Sequence, residues 1–266
     1  MKNNTKKIFI RNDDVRNCVD IGLESLVNLS FKMKIPVSYA IEPGNISIDV
    51  IKFLKEIYNI NSELVEIIQH GFNHNLDNRF KDKIEFGGDR DYLSQFNDLQ
   101  KGVSIMERDF KDVWFRAISF PFGKYNKNTL KVVNQLKFLA ISTSTNFNKQ
   151  NLIKDFIGRK LKRHFLINKK VSYHTKKVPA FDFYDFGTSV NIIKRYISYD
   201  CAEHYNYEEL LYSIIKSFKH TDTVGILLHH RFHKKEDFNN LEKIITYFQS
   251  QDNYQFTKIS NLLPEN

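Results

Sequence analysis

The sequence predicts an α/β fold whose parallel sheet is closed, or nearly closed, into a barrel. Three observations predict it. Short apolar runs alternate with longer segments of helical periodicity along most of the chain. That alternation implies strand–helix–strand units, whose strands run parallel. The polar residues capable of chemistry fall repeatedly just after the apolar runs, and in a parallel barrel those strand ends share one face.

Residues 8–11 form the first apolar run, which stops at Asn12-Asp13-Asp14. Residues 19–34 carry Ile21, Leu23, Leu26, Val27 and Leu29 in a helical rhythm. Residues 36–41 read as the second strand, closed by Glu42-Pro43-Gly44. Ile48, Ile51, Phe53, Leu54 and Ile57 predict the next helix, with Ser47 as its N-cap. The third strand, 64–69, delivers His70. A polar stretch over 75–90 contains Glu85-Phe86-Gly87-Gly88. Helix 92–110 has a stripe of Leu93, Phe96, Leu99, Val103, Met106 and Phe110, assigned to core packing.

Residues 115–120 make the fourth strand, terminated by Pro121-Phe122-Gly123, and helix 129–136 and strand 138–142 follow. Residues 146–173 are polar and show no assignable period. A strand is expected over 178–183, a helix over 207–218, and a strand over 224–228 that ends at His229-His230. Helix 238–248 and strand 255–259 complete the chain. No repeat, low-complexity segment or linker interrupts residues 1–266, so a single domain is expected. About seven or eight strands favour a barrel over an open doubly wound sheet. No glycine-rich phosphate loop follows any strand, which argues against nucleotide binding.

With 41% hydrophobic residues, 23 Phe and 13 Tyr, the chain can bury a full core, and 10 Gly with 5 Pro argue against disorder. The net charge of +9 would suit an anionic partner, but the lysines are scattered. The short clusters at 160–163 and Lys176-Lys177 read equally well as solvated loops. Specific nucleic-acid binding is not expected, because no clustered basic–aromatic motif occurs. Cys18 and Cys201 form no disulfide framework. The N-terminus shows no apolar leader and no run long enough to span a bilayer, so a cytoplasmic protein is expected, with peripheral membrane contact as an option.

The chemistry concentrates at the strand ends. His70 and His74 are four residues apart, and imidazoles so spaced can hold one transition-metal ion. Asp13-Asp14, Glu42, His70, Pro121-Phe122-Gly123 and His229-His230 would all meet on the C-terminal face of a barrel. Each has a plain structural explanation when taken singly: a helix cap, an ordinary turn, a wet strand end. Their common placement favours a site.

The order of these motifs resembles that of polysaccharide deacetylases of the NodB-homology type, carbohydrate esterase family 4. The resemblance spans about residues 8–232 and rests on Asp-Asp, His-x-x-x-His, Pro-aromatic-Gly and Leu-Leu-His in sequence. It implies an irregular (β/α) barrel of about seven parallel strands that removes N- or O-acetyl groups from glycans with a divalent metal, most often zinc. By resemblance, Asp14, His70 and His74 would hold the metal, Asp13 would be the base and His229 the acid. The Phe122 backbone N–H would help to hold the oxyanion. Pro121 and Phe122, with Glu85 from a segment resembling divergent members, are expected on the substrate side.

Three departures stand out. Val15 follows the Asp pair where glycine is usual, and Ser119 stands where the arginine that orients the base is usual. The fourth motif has no clear position, with Asp182, Asp185 and Asp200 as candidates.

Independent of the family, two imidazoles and a carboxylate leave an ion positively charged with open positions, beside a spare Asp and a spare His. Adjacent strand residues point to opposite faces, so Asp13 and Asp14 can share a site only if the backbone bends there. Of the three C-terminal histidines, alternation admits only one of His229 and His230 to the site; the resemblance selects His229 and leaves His230 outside, and His233, past the strand, is expected in solvent.

The favoured reading is a metal-dependent deacetylase acting on an acetylated sugar or glycan. The same scaffold could cleave another non-peptide C–N bond, or persist as a glycan-binding pseudoenzyme. A two-His-one-carboxylate set also suits an Fe(II) oxygenase, but those sites normally sit on antiparallel folds.

Overall fold

The computed structural model describes residues 5–74, 84–198 and 201–264. In chain order it runs β1 (Lys6–Val15), α1 (Ile21–Met33), β2 (Val37–Ile41), α2 (Ile48–Ile60), β3 (Val65–His70), α3 (Tyr92–Phe110) and β4 (Trp114–Ser119). There follow α4 (Lys127–Gln135), β5 (Ala140–Ser142), α5 (Lys149–Lys160), β6 (Phe165–Leu166), β7 (Lys169–Lys170), β8 (Lys176–Lys177) and β9 (Tyr184–Asp185). The rest is β10 (Thr188–Asn191), β11 (Ile193–Ser198), β12 (Cys201–His204), α6 (Tyr207–Ser217), β13 (Thr223–Leu228), α7 (Lys235–Gln249) and β14 (Tyr254–Phe256).

One ten-stranded sheet has the main path β10-β13-β1-β2-β3-β4-β5-β9-β8, with β14 also on β1. Its pairs are parallel from β10 through β9, and β8 alone joins antiparallel. The edge strand β10 returns to the segment after β5. Thr188 N–H donates to the Thr143 carbonyl at 2.8 Å, and Thr145 N–H donates to the Thr188 carbonyl at 2.8 Å. The sheet therefore curls into an irregular barrel, in which β10, β13 and β1–β5 are seven neighbouring parallel strands and β9 and β14 add two more parallel pairings.

Alternation along each strand sorts the residues between the two faces. Ile8, Ile10, Tyr39, Ile41, Ile67 and Val224 belong to the largest apolar cluster, together with the inward stripes of α1, α2, α6 and α7. The neighbours that point the other way, Phe9, Ala40, Ile68, Ala117 and Ala140, pack with Phe186 in the barrel interior. Small residues are needed there to admit the Phe9 ring; a Cβ on Gly225 would strike it. Glu66 closes the floor, accepting from the Ser38 hydroxyl at 2.5 Å and from the Ile259 and Ser260 amides at 3.0 and 2.8 Å.

Two residues further along the same strands come Arg11, Glu42, His70, Ser119 and Ser142, all buried and all polar. The interior thus changes from apolar to polar in one step toward the C-terminal face. Helix starts follow local capping chemistry. Asp20 and Ser47 accept from the Leu23 and Val50 amides, and Asn126 and Asn206 head capping boxes.

The sequence expectations fail in the middle of the chain. Residues 178–183 are not a strand: the Phe181 amide bonds back to Val178, Ala180 has φ of 63°, and Val178 and Phe183 are buried as turn anchors. The stretch without a readable period contains α5 and the β6–β7 hairpin. The polar strand β10 and the β11–β12 hairpin were not anticipated.

Candidate metal centre

The Asp pair ends β1, and alternation should turn Asp14 away from the barrel mouth. Instead Asp14 adopts φ of 62°, and the β1–β2 register shifts between Asn12 and Val15. This is the required bend, and both carboxylates consequently face one cavity.

His70 is the last residue of β3. The loop after it turns at Gly71, where φ is 53° and a Cβ would strike both the Glu85 carboxylate and the Pro121 ring. Glu85 holds that loop, accepting from the amides of Phe72 at 2.7 Å, Asn73 at 2.8 Å and His74 at 3.3 Å. His74, with φ of 59°, thereby turns its ring back beside His70, with centroids 5.0 Å apart.

Asp14 Oδ1 lies 3.4 Å from His70 Nε2 and 3.2 Å from His74 Nε2. Ligand atoms about 2.1 Å from one zinc ion would be separated by similar distances in a tetrahedral arrangement. Asp14 Oδ1 and His74 Nε2 are buried without a hydrogen-bond partner, a costly state that a cation would relieve. His70 Nδ1 is 2.6 Å from Ser119 Oγ. With Nδ1–H donating to that hydroxyl, the Nε2 lone pair points at Asp14, the arrangement a metal-bound imidazole needs. The residues therefore fit a divalent ion. Glu42, fully buried, sits 3.5 Å from His74 Nε2 and is held by Arg16 at 3.2 Å and Asn45 at 2.7 Å.

Asp13 is gripped differently. Arg11 Nε donates to its Oδ1 at 2.8 Å and Nη2 to its Oδ2 at 2.9 Å, while Arg11 Nη1 donates to Ser142 O and Oγ at 2.6 and 2.7 Å. Burial alone would raise the Asp13 carboxyl, but Arg11 and then His70 outweigh it and hold it below its ordinary range. Burial would likewise raise Asp14, and the close imidazoles of His70 and His74 hold it well below its ordinary range. Both are carboxylates at neutral pH.

Across the cavity, Tyr196 Oη is 3.3 Å from His229 Nδ1. Burial lowers the His229 imidazole, and Asp14 and Asp13 work against that lowering. His230 faces away, with its amide donating to Asn12 Oδ1 at 3.0 Å and its Nδ1 2.9 Å from Asn12 Nδ2. His233 departs from expectation: it is half-buried, its Nε2 accepts the His229 amide at 3.2 Å, and its ring lies 5.1 Å from that of His204. His204, His233 and Asp237 form a second cluster of ligand-type atoms, in which His233 braces the turn that carries His229.

The cavity, about 610 Å³, is lined by Arg11, Asp13, Asp14, His70, His74, Phe122, Tyr125, Tyr196 and His229, among others. Phe122 stands at its rim with φ of 54°, 61% exposed, its ring 5.3 Å from His74.

No family model matches the sequence, and no curated protein matches it. Solved structures do match. A probable polysaccharide deacetylase from Pseudomonas aeruginosa PAO1 superposes with a TM-score of 0.65 at 12% identity, covering 96% of this chain and 89% of that one. A family 4 acetyl xylan esterase from Clostridium thermocellum, in complex with a cobalt ion, gives 0.58 at 11% identity over 97% and 90%. A family 4 pseudoenzyme from Bacillus anthracis gives 0.57 at 14% over 98% and 66%. The fold is that of the family 4 deacetylases.

Against the family 4 pattern, the departure at Ser119 has a local account. Ser119, in the place of the usual arginine, bonds His70, and Arg11 from β1 bonds Asp13. Two residues expected on the substrate side sit away from the cavity wall. The Glu85 carboxylate is turned onto loop amides, and Pro121 is buried beneath Gly71, so neither lines the cavity. Of the fourth-motif candidates, Asp182 is exposed and paired with Lys177 at 3.0 Å. Asp185 is buried behind the cavity, accepting from Thr143 Oγ1 at 2.8 Å, and burial raises it to about 6. Asp200 lies outside the described residues.

The sequence reading missed Arg11 and Tyr196 as site residues, and it placed Glu42 at a strand end of the site without giving it a role. For Arg11 a signal existed: it lies two residues before Asp13, on the same side of the same strand.

Proposed function

We propose that the protein is a metal-dependent hydrolase that removes an N- or O-linked acetyl group from a sugar or glycan, with Asp14, His70 and His74 holding the ion, best served by zinc. The observation that carries this reading is a division of labour between adjacent carboxylates. Asp14 meets two imidazoles through an oxygen with no hydrogen-bond partner, whereas Asp13 is tied to Arg11 by two hydrogen bonds and approaches the set only at His70 Nδ1, the nitrogen turned away from Asp14, at 3.8 Å.

A divalent ion at such ligands supplies Lewis acidity toward a carbonyl and lowers the pKa of water. Asp13, charged and fixed by Arg11, is placed to accept the proton of the attacking water as its oxygen bonds the acetyl carbon. The Phe122 amide would serve as the oxyanion donor, and its ring, 5.3 Å from that of His74, offers an apolar wall to the acetyl methyl. His229, oriented by Tyr196, delivers a proton to the departing nitrogen or oxygen as the C–N or C–O bond breaks, leaving acetate and the free amine or alcohol.

Metal analysis of the purified protein, followed by acetate release from a panel of acetylated sugars, tests the reading. Asp13→Asn should keep its metal and lose about 10²–10⁴-fold in rate. Asp14→Ala and His70→Ala should each lose the metal. Loss of metal in Asp13→Asn would reverse the two carboxylate roles. Full metal content without acetate release from any substrate would favour the binding protein over the enzyme.

A further inference from the structure

Helix α5 is inverted. Its buried positions are Asp155 and Gly158, while Ile153, Phe156 and Ile157 point outward at 53%, 64% and 41% exposure. Leu161 extends this stripe at 58%, and Ile167, at the tip of the β6–β7 hairpin, is 90% exposed. At 100° per residue, positions 153, 156, 157, 160 and 161 share one side of the helix. Other exposed aliphatic residues are scattered, as Ile21, Ile48 and Ile60 are at helix ends, Leu139 before β5 and Ile197 on β11, and such scatter is ordinary. Five together on one helix and the adjoining hairpin are not.

Charge identifies what covers them. Residues 149–170 contain eight Lys or Arg and a single acid, Asp155. That acid is turned inward, accepting from the Ser172 amide at 3.0 Å and pairing with the Lys154 ammonium at 3.3 Å. Lys149, Lys160, Lys162, Arg163 and Lys169 are exposed around the apolar stripe. An outward apolar stripe rimmed by cations alone is complementary to an anionic lipid surface, where aliphatic and aromatic side chains enter the headgroup boundary and lysines meet phosphates.

The face also adjoins the cavity. The Lys170 ammonium bonds the Gly123 carbonyl and lies 4.0 Å from the centroid of Tyr125, on which Phe165 packs at 6.0 Å. Gly123 and Tyr125 both line the cavity. We propose that α5 and the β6–β7 turn dock on an anionic bilayer, so that the cavity opens toward a glycan carried at that surface. The choice of glycan rests on the deacetylase reading; the docking does not. No helix among the described residues is long and apolar enough to cross a membrane, so attachment is to the surface.

Co-sedimentation of the full chain with vesicles of phosphatidylcholine, and of phosphatidylcholine mixed equally with phosphatidylglycerol, tests the docking. Wild type should pellet with the mixed vesicles only, and less as salt rises. The double variant Phe156→Ser/Ile167→Ser should bind at least about tenfold more weakly, as should Lys160→Glu/Lys162→Glu. Unchanged thermal unfolding would show that these exposed substitutions leave the fold intact. No pelleting with anionic vesicles, or equal pelleting of wild type and both variants, overturns the proposal. So does a concentration-dependent dimer that Phe156→Ser abolishes, since a second copy would then be the occupant. Acetate release from a soluble acetylated sugar should be the same in all. Vesicle binding without any acetate release would remove the deacetylase reading and leave the docking face standing.

Discussion

Replacing Arg11 with Met removes the two hydrogen bonds to Asp13 and the two to Ser142 while roughly keeping side-chain length. Asp13 is 3% exposed, so the variant leaves a buried carboxylate without its main counter-charge. Breaking a buried pair from one side costs about 3–5 kcal/mol. The sign of the pH effect follows from burial. In wild type the folded carboxyl sits below its ordinary 3.8, so its stabilising contribution is present above that value and lost as pH falls through the folded one. Without Arg11, burial dominates and the folded value rises, so Asp13 costs stability as pH climbs past 3.8. Urea unfolding of metal-free protein should show the deficit at neutral pH and a smaller one near pH 3.8 or below. The acidic limb of kcat/KM should move to higher pH in parallel. Adding Asp13→Asn to the Met variant should recover most of the stability and none of the activity. A variant with wild-type stability and an unmoved acidic limb would show that Arg11 does not control Asp13.

Ser119→Ala should weaken metal binding by about 10–100-fold through loss of the bond to His70 Nδ1, read by competition with a chelating dye. In the metal-free protein, burial raises Glu85 to about 7 from 4.5. Its contribution is therefore greatest below 4.5 and lost as pH rises through about 7, and Glu85→Gln should flatten that part of the stability curve. Glu85→Ala should lose metal as well, because three loop amides lose their acceptor. His229→Ala should abolish most acetate release with metal retained. His230→Ala should instead lower the melting temperature, because Asn12 Nδ2 loses the ring nitrogen it bonds and the Asn12 side chain keeps only the backbone amide of residue 230.

The parallel strands through β5, and β13, were legible because each is a near-continuous apolar run, as strands covered on both faces must be. Strand β10 was not, since Thr188-Ser189-Val190-Asn191 carries only one large apolar residue, and its pairing with β13 is set by tertiary position. Helix α5 escaped for a different reason. Hydrophobic periodicity marks a core helix only when the apolar side faces the core, and here Asp155 and Gly158 occupy that side. The same inversion that hid the helix supplies the exposed face beside the cavity.

The site was legible as a set of strand ends and illegible as a network. Matching motifs in order assigns a role to a position, so Ser119 registers as a lost arginine. The barrel interior imposes a different condition: a guanidinium must reach Asp13 from some neighbouring inward position, whichever strand supplies it. Arg11 meets that condition from β1 itself, one alternation below its partner. Ser142 on β5 is short enough to leave room across the barrel and accepts the guanidinium's remaining reach through both its hydroxyl and its carbonyl. With that positive charge supplied from β1, a long side chain at 119 would crowd the same space. A serine there is free to bond His70 instead. The two substitutions are therefore coupled. Arg11→Ser combined with Ser119→Arg should retain more activity than Arg11→Ser alone, because a guanidinium on β4 would again lie within reach of Asp13. If the double variant is no better than the single one, the two positions act independently and the coupling argument fails.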